Sequence, residues 1–215
     1  MNESIIDNLI QRYPSLVSVR EDFRAAYNIL EETYATGHKL LTAGNGGSAA
    51  DAEHIAGELM KRFRLPRPID SSLAEKLVSI DPERGKALAQ NLEQSLMAIP
   101  LVAHEALKTA YINDVDGYCV FAQQLLGFGR AGDCFLAIST SGNSENILNA
   151  AVVAKAVGIS IIALTGADGG KLKDYADVTV RVPETETYKI QELHLPIYHA
   201  WCMMLEERFF GNATD

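Results

Sequence analysis

Apolar residues recur at helical spacing from the start of the chain: Leu9, Tyr13, Leu16 and Val17, then Phe23, Tyr27, Leu30 and Tyr34. That period predicts one or two amphipathic helices over about residues 4–37, with Gly37 as a stop. The period then shortens. Residues 39–43 read as a short strand that ends at Gly44-Asn45-Gly46-Gly47-Ser48, and an alanine-rich helix is expected from Ala49 to about Arg64. Residues 134–138 repeat the pattern, followed by Ser139-Thr140-Ser141-Gly142-Asn143-Ser144 and a helix over about 145–157. Residues 159–164 and 178–182 read as further strands, and residues 187–210 as a long closing helix. Strands alternating with helices predict an α/β fold: a three-layer, doubly wound parallel sheet with helices on both faces, preceded by N-terminal helices. A chain of 215 residues fits one domain, 1–215, with 1–37 as the helical segment and 38–215 as the α/β core. Residues 65–95 show no clear period. Pro66, Pro68 and a charged Asp81-Pro82-Glu83-Arg84 turn leave room for one short helix, and the mixed composition is not that of a linker.

Ligands in such sheets bind beyond the carboxyl ends of the strands, where both glycine- and serine-rich turns lie. Ser139, Thr140, Ser141 and Ser144 crowd a strand-to-helix turn. A helix start offers free N–H groups and the positive end of a dipole, so these hydroxyls suit a phosphate without any Lys or Arg. A single serine there would be read as a helix cap; four hydroxyls favour an anion site. The Gly44–Ser48 turn is not a Walker A loop, because no Gly-Lys-Ser/Thr follows. Gly44, Gly46 and Ala49 meet a relaxed dinucleotide fingerprint, but no second apolar strand leads to an acidic residue at the required distance. Alone, the turn is as readily structural; beside the serine turn it suggests a shared site.

Net charge refines this picture. At -9, with a pI near 5.1, the chain lacks the basic surface that a nucleic-acid groove needs. A small phosphorylated ligand needs only local donors. Cys119, Cys134 and Cys202 are odd in number and widely spaced, so neither a disulfide framework nor a cysteine metal site is expected. The start of the chain has no basic, apolar leader, and no apolar run approaches the ~20 residues that span a bilayer. A cytoplasmic protein without membrane or nucleic-acid partners is expected.

His54 and Glu58 are four apart on an expected helix, so they share a face. The pair could ligate a metal or set a base beside a cation; as an isolated motif it would be a solvated polar pair. The glycine-rich turn just upstream favours function. Gln191 and His199 lie eight apart on the last helix, with Pro196 between them as the place for a kink.

These motifs together resemble the SIS (sugar isomerase) domain family, and within it the phosphoheptose isomerases of bacterial lipopolysaccharide heptose synthesis. Ala43–Ser48 with His54-x-x-x-Glu58 is similar to their signature. Ile138–Ser144 is similar to the family's phosphate loop, and Leu164-Thr165-Gly166 with Asp168-Gly169-Gly170-Lys171, and Ile190–His194 with His199, continue the likeness. The resemblance implies a flavodoxin-like SIS domain, a homotetramer with sites at subunit contacts, and aldose–ketose isomerisation of sedoheptulose 7-phosphate. It implies that Ser139, Thr140, Ser141 and Ser144 hold the phosphate. Asn45, Gly46, Gly47, Ser48, Glu58, Gln191 and the Asn113-Asp114 pair would contact substrate. His54, Glu58, Gln191 and His199 would surround one zinc ion per subunit, with Glu58 and His199 as the proton-transfer pair. His194 is expected to pack rather than ligate. Residues 65–95 are longer than in shorter members, and Tyr188 stands where some members carry an aspartate. Two other readings fit the family: an interaction protein like its member that binds the replication initiator, and a phosphosugar sensor. Glu58 and His199 together favour the enzyme.

Overall fold

The computed structural model describes residues 3–211. Residues 1, 2 and 212–215 of the expected domain lie outside that range. The chain opens with α1 (Glu3–Arg12), a 3-10 turn that begins at Pro14, and α2 (Arg20–Ala35). Gly37 takes φ +80° just beyond, a left-handed conformation that ends the helical region. Next come β1 (Leu40–Ala43) and α3 (Gly47–Met60). The helix starts two residues before the expected Ala49 because Gly46, at φ +56°, turns the chain directly into it.

Residues 65–95 hold two helices, not one: α4 (Ser71–Ile80) and α5 (Pro82–Asn91). Asp81 sits between them and accepts hydrogen bonds from the N–H groups of Glu83 and Arg84, while Pro82 fills the first helical position of α5. No residue of α4 is buried, and Gly85 alone is buried in α5. The two helices pack on each other as a hairpin. Its stem is an antiparallel bridge between Pro68 and Glu93.

Then follow β2 (Ala98–Pro100), α6 (Glu105–Asp114), α7 (Val120–Phe128), β3 (Cys134–Ile138), α8 (Glu145–Val157), β4 (Ser160–Thr165), β5 (Val178–Arg181) and α9 (Thr187–Phe210). Sequence reading had not identified β2, α6 or α7. Pro196 lies inside α9, which continues as helix to Phe210.

The five strands are all parallel, in the order β2-β1-β3-β4-β5. From β1 the chain steps one way to β2 through α3; from β3 it steps the other way to β4 through α8. With right-handed crossovers these moves place α3 and α8 on opposite faces. β1 and β3 are neighbours at the point where the direction reverses, with Ala43 level with Ala137. Their outgoing turns therefore start side by side. The central strands are fully buried, and the core runs through β1, β3 and β4 into α2, α3, α8 and α9.

One polar knot fastens α3 to α9. Arg67, 1% exposed, and Glu206, also 1% exposed, form an ion pair at 2.8 Å. Glu206 also accepts from the N–H groups of Phe63 and Arg64 at 2.7 Å and of Leu65 at 3.1 Å. Arg67 donates to the Leu59 carbonyl at 2.8 Å. Every strong partner of the two charges is thus supplied inside the protein, as burial of charge requires.

Candidate functional site

A cavity of about 290 Å³ opens at the reversal point, lined by Asn45, Gly46, Gly47, Ser48, Ile138, Ser139, Thr140, Ser144, Thr187 and Gln191. Three helix starts face it: α3 at Gly47, α8 after Ser144 and α9 at Thr187. Ser144 occupies the cap position of α8, yet its side chain makes no capping bond. It meets the Ser139 hydroxyl instead, at 3.1 Å. The starts of α3 and α9 likewise have no side-chain capping bond. The wall of this cavity is uncharged, so hydroxyls, N–H groups and helix dipoles make it a cradle for an anion.

Two contacts hold the cradle together. Asn45 and Asn146 exchange amide hydrogen bonds at 2.9 Å in both directions, joining the first turn to α8. A methyl group at Gly47 would lie 2.5 Å from Gln191 Nε2, so glycine here leaves room for the Gln191 amide against the start of α3. Ser141, expected in the cradle, is not in its wall. Its hydroxyl accepts from the Asn143 N–H at 3.1 Å, a local turn.

Further along α3 and α9 the character changes. His54 Nε2 lies 3.1 Å from Glu58 Oε1, and the rings of His54 and His199 are 5.0 Å apart and perpendicular. Seven residues of helix, roughly 10 Å at 1.5 Å per residue, separate Gly47 from His54. His199 Nε2 is buried and has no hydrogen-bond partner among the described residues. Burial, reinforced by the nearby His54 and opposed by Glu58, holds the His199 imidazole below its ordinary pKa. Lys61 Nζ also reaches Glu58, at 3.1 Å. Tyr198 Oη lies 3.0 Å from His54 Nδ1.

The structure thus brings His54, Glu58 and His199 together, and sets Gln191 apart in the cradle wall. Among the described residues no group of three His, Cys, Asp or Glu side chains is close enough to hold a metal ion. His54 and Glu58 are bonded to each other. The unpartnered His199 nitrogen beside that pair is nevertheless the kind of donor zinc takes. Asn113 and Asp114 are exposed at the end of α6, bonded to each other at 2.8 Å, and line no part of this cavity. His194 is fully buried, and burial drives its pKa down to about 4. Thr187, Asn146, Asp51 and Tyr198 escaped sequence reading. Only Asp51, three residues before His54 on the same helix face, carried any signal.

The fold and this pair of regions define the SIS domain family. Its model matches residues 15–100 and 86–166, and the chain belongs to that family. Among curated proteins, the phosphoheptose isomerase of Akkermansia muciniphila is 34% identical over 99% of this chain and 100% of its own length. That of Sulfurimonas denitrificans is 41% identical over 85% of this chain and 80% of its own. The solved phosphoheptose isomerase of Neisseria gonorrhoeae superposes with a TM-score of 0.72 at 30% identity, over 95% of this chain and 98% of that one. The expected parallel α/β sheet flanked by helices is the observed one. No helix among the described residues is long and apolar enough to cross a membrane.

Proposed function

We propose that this chain is a phosphosugar aldose–ketose isomerase that converts sedoheptulose 7-phosphate to D-glycero-D-manno-heptose 7-phosphate through an enediol. One observation carries the reading: an uncharged anion cradle and a carboxylate–imidazole cluster share two packed helices, roughly 10 Å apart along them. That spacing suits a long open-chain sugar whose phosphate and reacting carbons lie at opposite ends. The phosphoheptose isomerases to which the chain is similar support the choice of a seven-carbon sugar.

In this scheme Ser139, Thr140 and Ser144, with the starts of α3 and α8, hold the phosphate, while Asn45, Gly46, Gly47, Ser48 and Gln191 hold the sugar chain. Glu58 takes the proton from C1 of the ketose and returns it to C2. His199, kept neutral by burial, moves the hydroxyl proton from O1 to O2. Atoms balance, and no redox partner is required. His54, Glu58 and His199, with Gln191 from the cradle side, are the residues that would hold zinc. When bound, the ion would polarise the carbonyl and stabilise the enediolate.

Asn113 and Asp114 stand exposed among Ile112, Val115 and Tyr118, also exposed. A polar pair within an apolar surface suits a subunit contact, so in the proposed homotetramer this pair completes a neighbour's site. The chain is taken to work in the cytoplasm as one SIS domain. The presence of both Glu58 and His199 weighs against the interaction-protein and sensor readings.

A coupled assay tests the proposal directly. Sedoheptulose 7-phosphate should be turned over with a kcat/KM well above that for fructose 6-phosphate. A protein inert towards every sugar phosphate tried would move the assignment to an interaction module. Light scattering tests the tetramer, and elemental analysis of the purified protein tests the metal.

A further inference from the structure

The two turns that form the cradle leave neighbouring strands and run into helices on opposite faces of the sheet. The ladder between β1 and β3 ends with Ala43 level with Ala137. Beyond it, the serine turn is braced towards β4. Gly166 N–H donates to the Thr140 carbonyl at 3.0 Å, Leu172 N–H to the Gly142 carbonyl at 3.0 Å, and Lys171 N–H to Asn143 Oδ1 at 3.1 Å. Towards β1 the bracing is of another kind. Among the described residues, the hydrogen bonds that join residues 44–48 to residues 139–146 are those of the Asn45–Asn146 pair, at 2.9 Å each. An anion held by the starts of α3 and α8 would lie across that same gap.

An amide side chain has two N–H donors and a carbonyl oxygen with two lone pairs. The reciprocal pair takes one donor and one lone pair from each partner. It therefore fixes which way each amide points, and leaves Asn45 one N–H and one lone pair for a ligand. Asn45 lines the cavity; Asn146, the second residue of α8, does not. Asn146 thus reaches a ligand only through Asn45. A folding role accounts for the pair poorly. Asn45 is exposed and Asn146 half-buried, and hydrogen bonds open to water add little to stability.

We propose that Asn146 is a positioning residue for ligand binding: its amide holds the Asn45 amide, and with it the spacing of the two turns, so that the cradle is set before an anion arrives. The idea rests on the reading of the cradle as the seat of the phosphate. A site set in advance binds more tightly because less order is lost on binding. The cluster of His54, Glu58 and His199 lies about two turns away along α3, so its chemistry does not depend on the clasp.

The test uses the full chain and inorganic phosphate as the probe, titrated by calorimetry. Asn146→Ala should weaken phosphate binding by about 5–150-fold, the range for two lost neutral hydrogen bonds. In the isomerase assay it should raise KM for sedoheptulose 7-phosphate, with little change in kcat and an unchanged melting temperature. In an Asn45→Ala background the same substitution should have no further effect on phosphate binding, because its one route to the ligand is gone. Losses that add independently in the double variant overturn the proposal, as does a loss of binding that comes with a matching fall in melting temperature. Ser139→Ala serves as the control for the cradle itself. If Ser139→Ala weakens phosphate binding and Asn146→Ala does not, the clasp alone is refuted. If neither does, or if the wild-type protein binds no phosphate, the cradle reading falls and the clasp falls with it.

Discussion

The two ends of the α3–α9 pair differ in how they would act on a ligand. At the head, the wall of the cradle carries no formal charge, and binding falls to hydroxyls, N–H groups and helix starts fixed by the strand ends. About two turns along, His54, Glu58, His199 and Tyr198 form a cluster in which every member is an ionisable side chain. The head is set by backbone geometry at the carboxyl ends of two central strands, so it can hold an anion in one place. The cluster is set by side chains on packed helices, whose electrostatics respond to burial and to one another. Anchoring and chemistry are thus assigned to different physics on the same two helices.

Mutations that break one region and spare the other test this division. The largest effect is expected at the head. Replacing Ser139 and Ser144 together with Ala should raise KM and leave the fold intact. Each hydrogen bond to a charged group contributes about 1.5–3 kcal/mol, so the pair should cost roughly 3–6 kcal/mol in kcat/KM. An unchanged KM would remove the phosphate from the cradle. Ser141, which faces a local turn, should matter less.

Glu58→Gln should do the opposite. General acid–base groups contribute ~10²–10⁴-fold in rate, so kcat should fall at least ~100-fold while KM moves little. Because the variant could also lose metal, metal content is measured beside the rate. Full activity would place the chemistry elsewhere.

Arg67→Met acts on the frame that holds the cluster. It leaves Glu206 buried with its three N–H donors but without a counter-charge, and breaking a buried pair typically costs about 3–5 kcal/mol of stability. Urea unfolding should show that loss; a variant as stable as wild type would mean the knot does not secure α3 to α9.

The smallest effect is a pH slope from His194, which lies between head and cluster on α9. Its folded pKa of about 4 is below the ordinary 6.5, so the unfolded chain binds a proton that the folded one does not. Its contribution is complete above pH 6.5 and is lost as pH falls towards 4. At 1.36 kcal/mol per pH unit the loss is about 3 kcal/mol. His194→Leu should flatten that part of the stability profile, and an unaltered slope would assign it to other groups.

Sequence periodicity resolved most of the elements that carry an apolar run or alternation. Four of the five strands and both α8 and α9 were legible within a residue or so. β2 was not: it has three residues, ends in Pro100 and stands at the sheet edge. The α4–α5 hairpin was half-read because Pro66, Pro68 and the charged turn at Asp81-Pro82 break the stretch into two ten-residue helices that bury almost nothing. In the site, glycine and hydroxyl clusters marked the head, since backbone turns have a compositional signature. His54, Glu58 and His199 needed spacing and family likeness. Tyr198 was illegible, because a tyrosine on a long buried helix reads as core until its hydroxyl is seen to have somewhere to go.

The stem of the α4–α5 hairpin has a practical consequence. Entry and exit are bonded to each other: Gln94 N–H donates to the Arg67 carbonyl at 2.7 Å, and Gln94 Nε2 to the Pro68 carbonyl at 2.8 Å. Whatever lies between these anchors is presented away from the sheet with its ends already joined. Protein engineers look for such a port, where a stretch of chain can be shortened, exchanged or made to carry a reporter while the framework on either side keeps its registration.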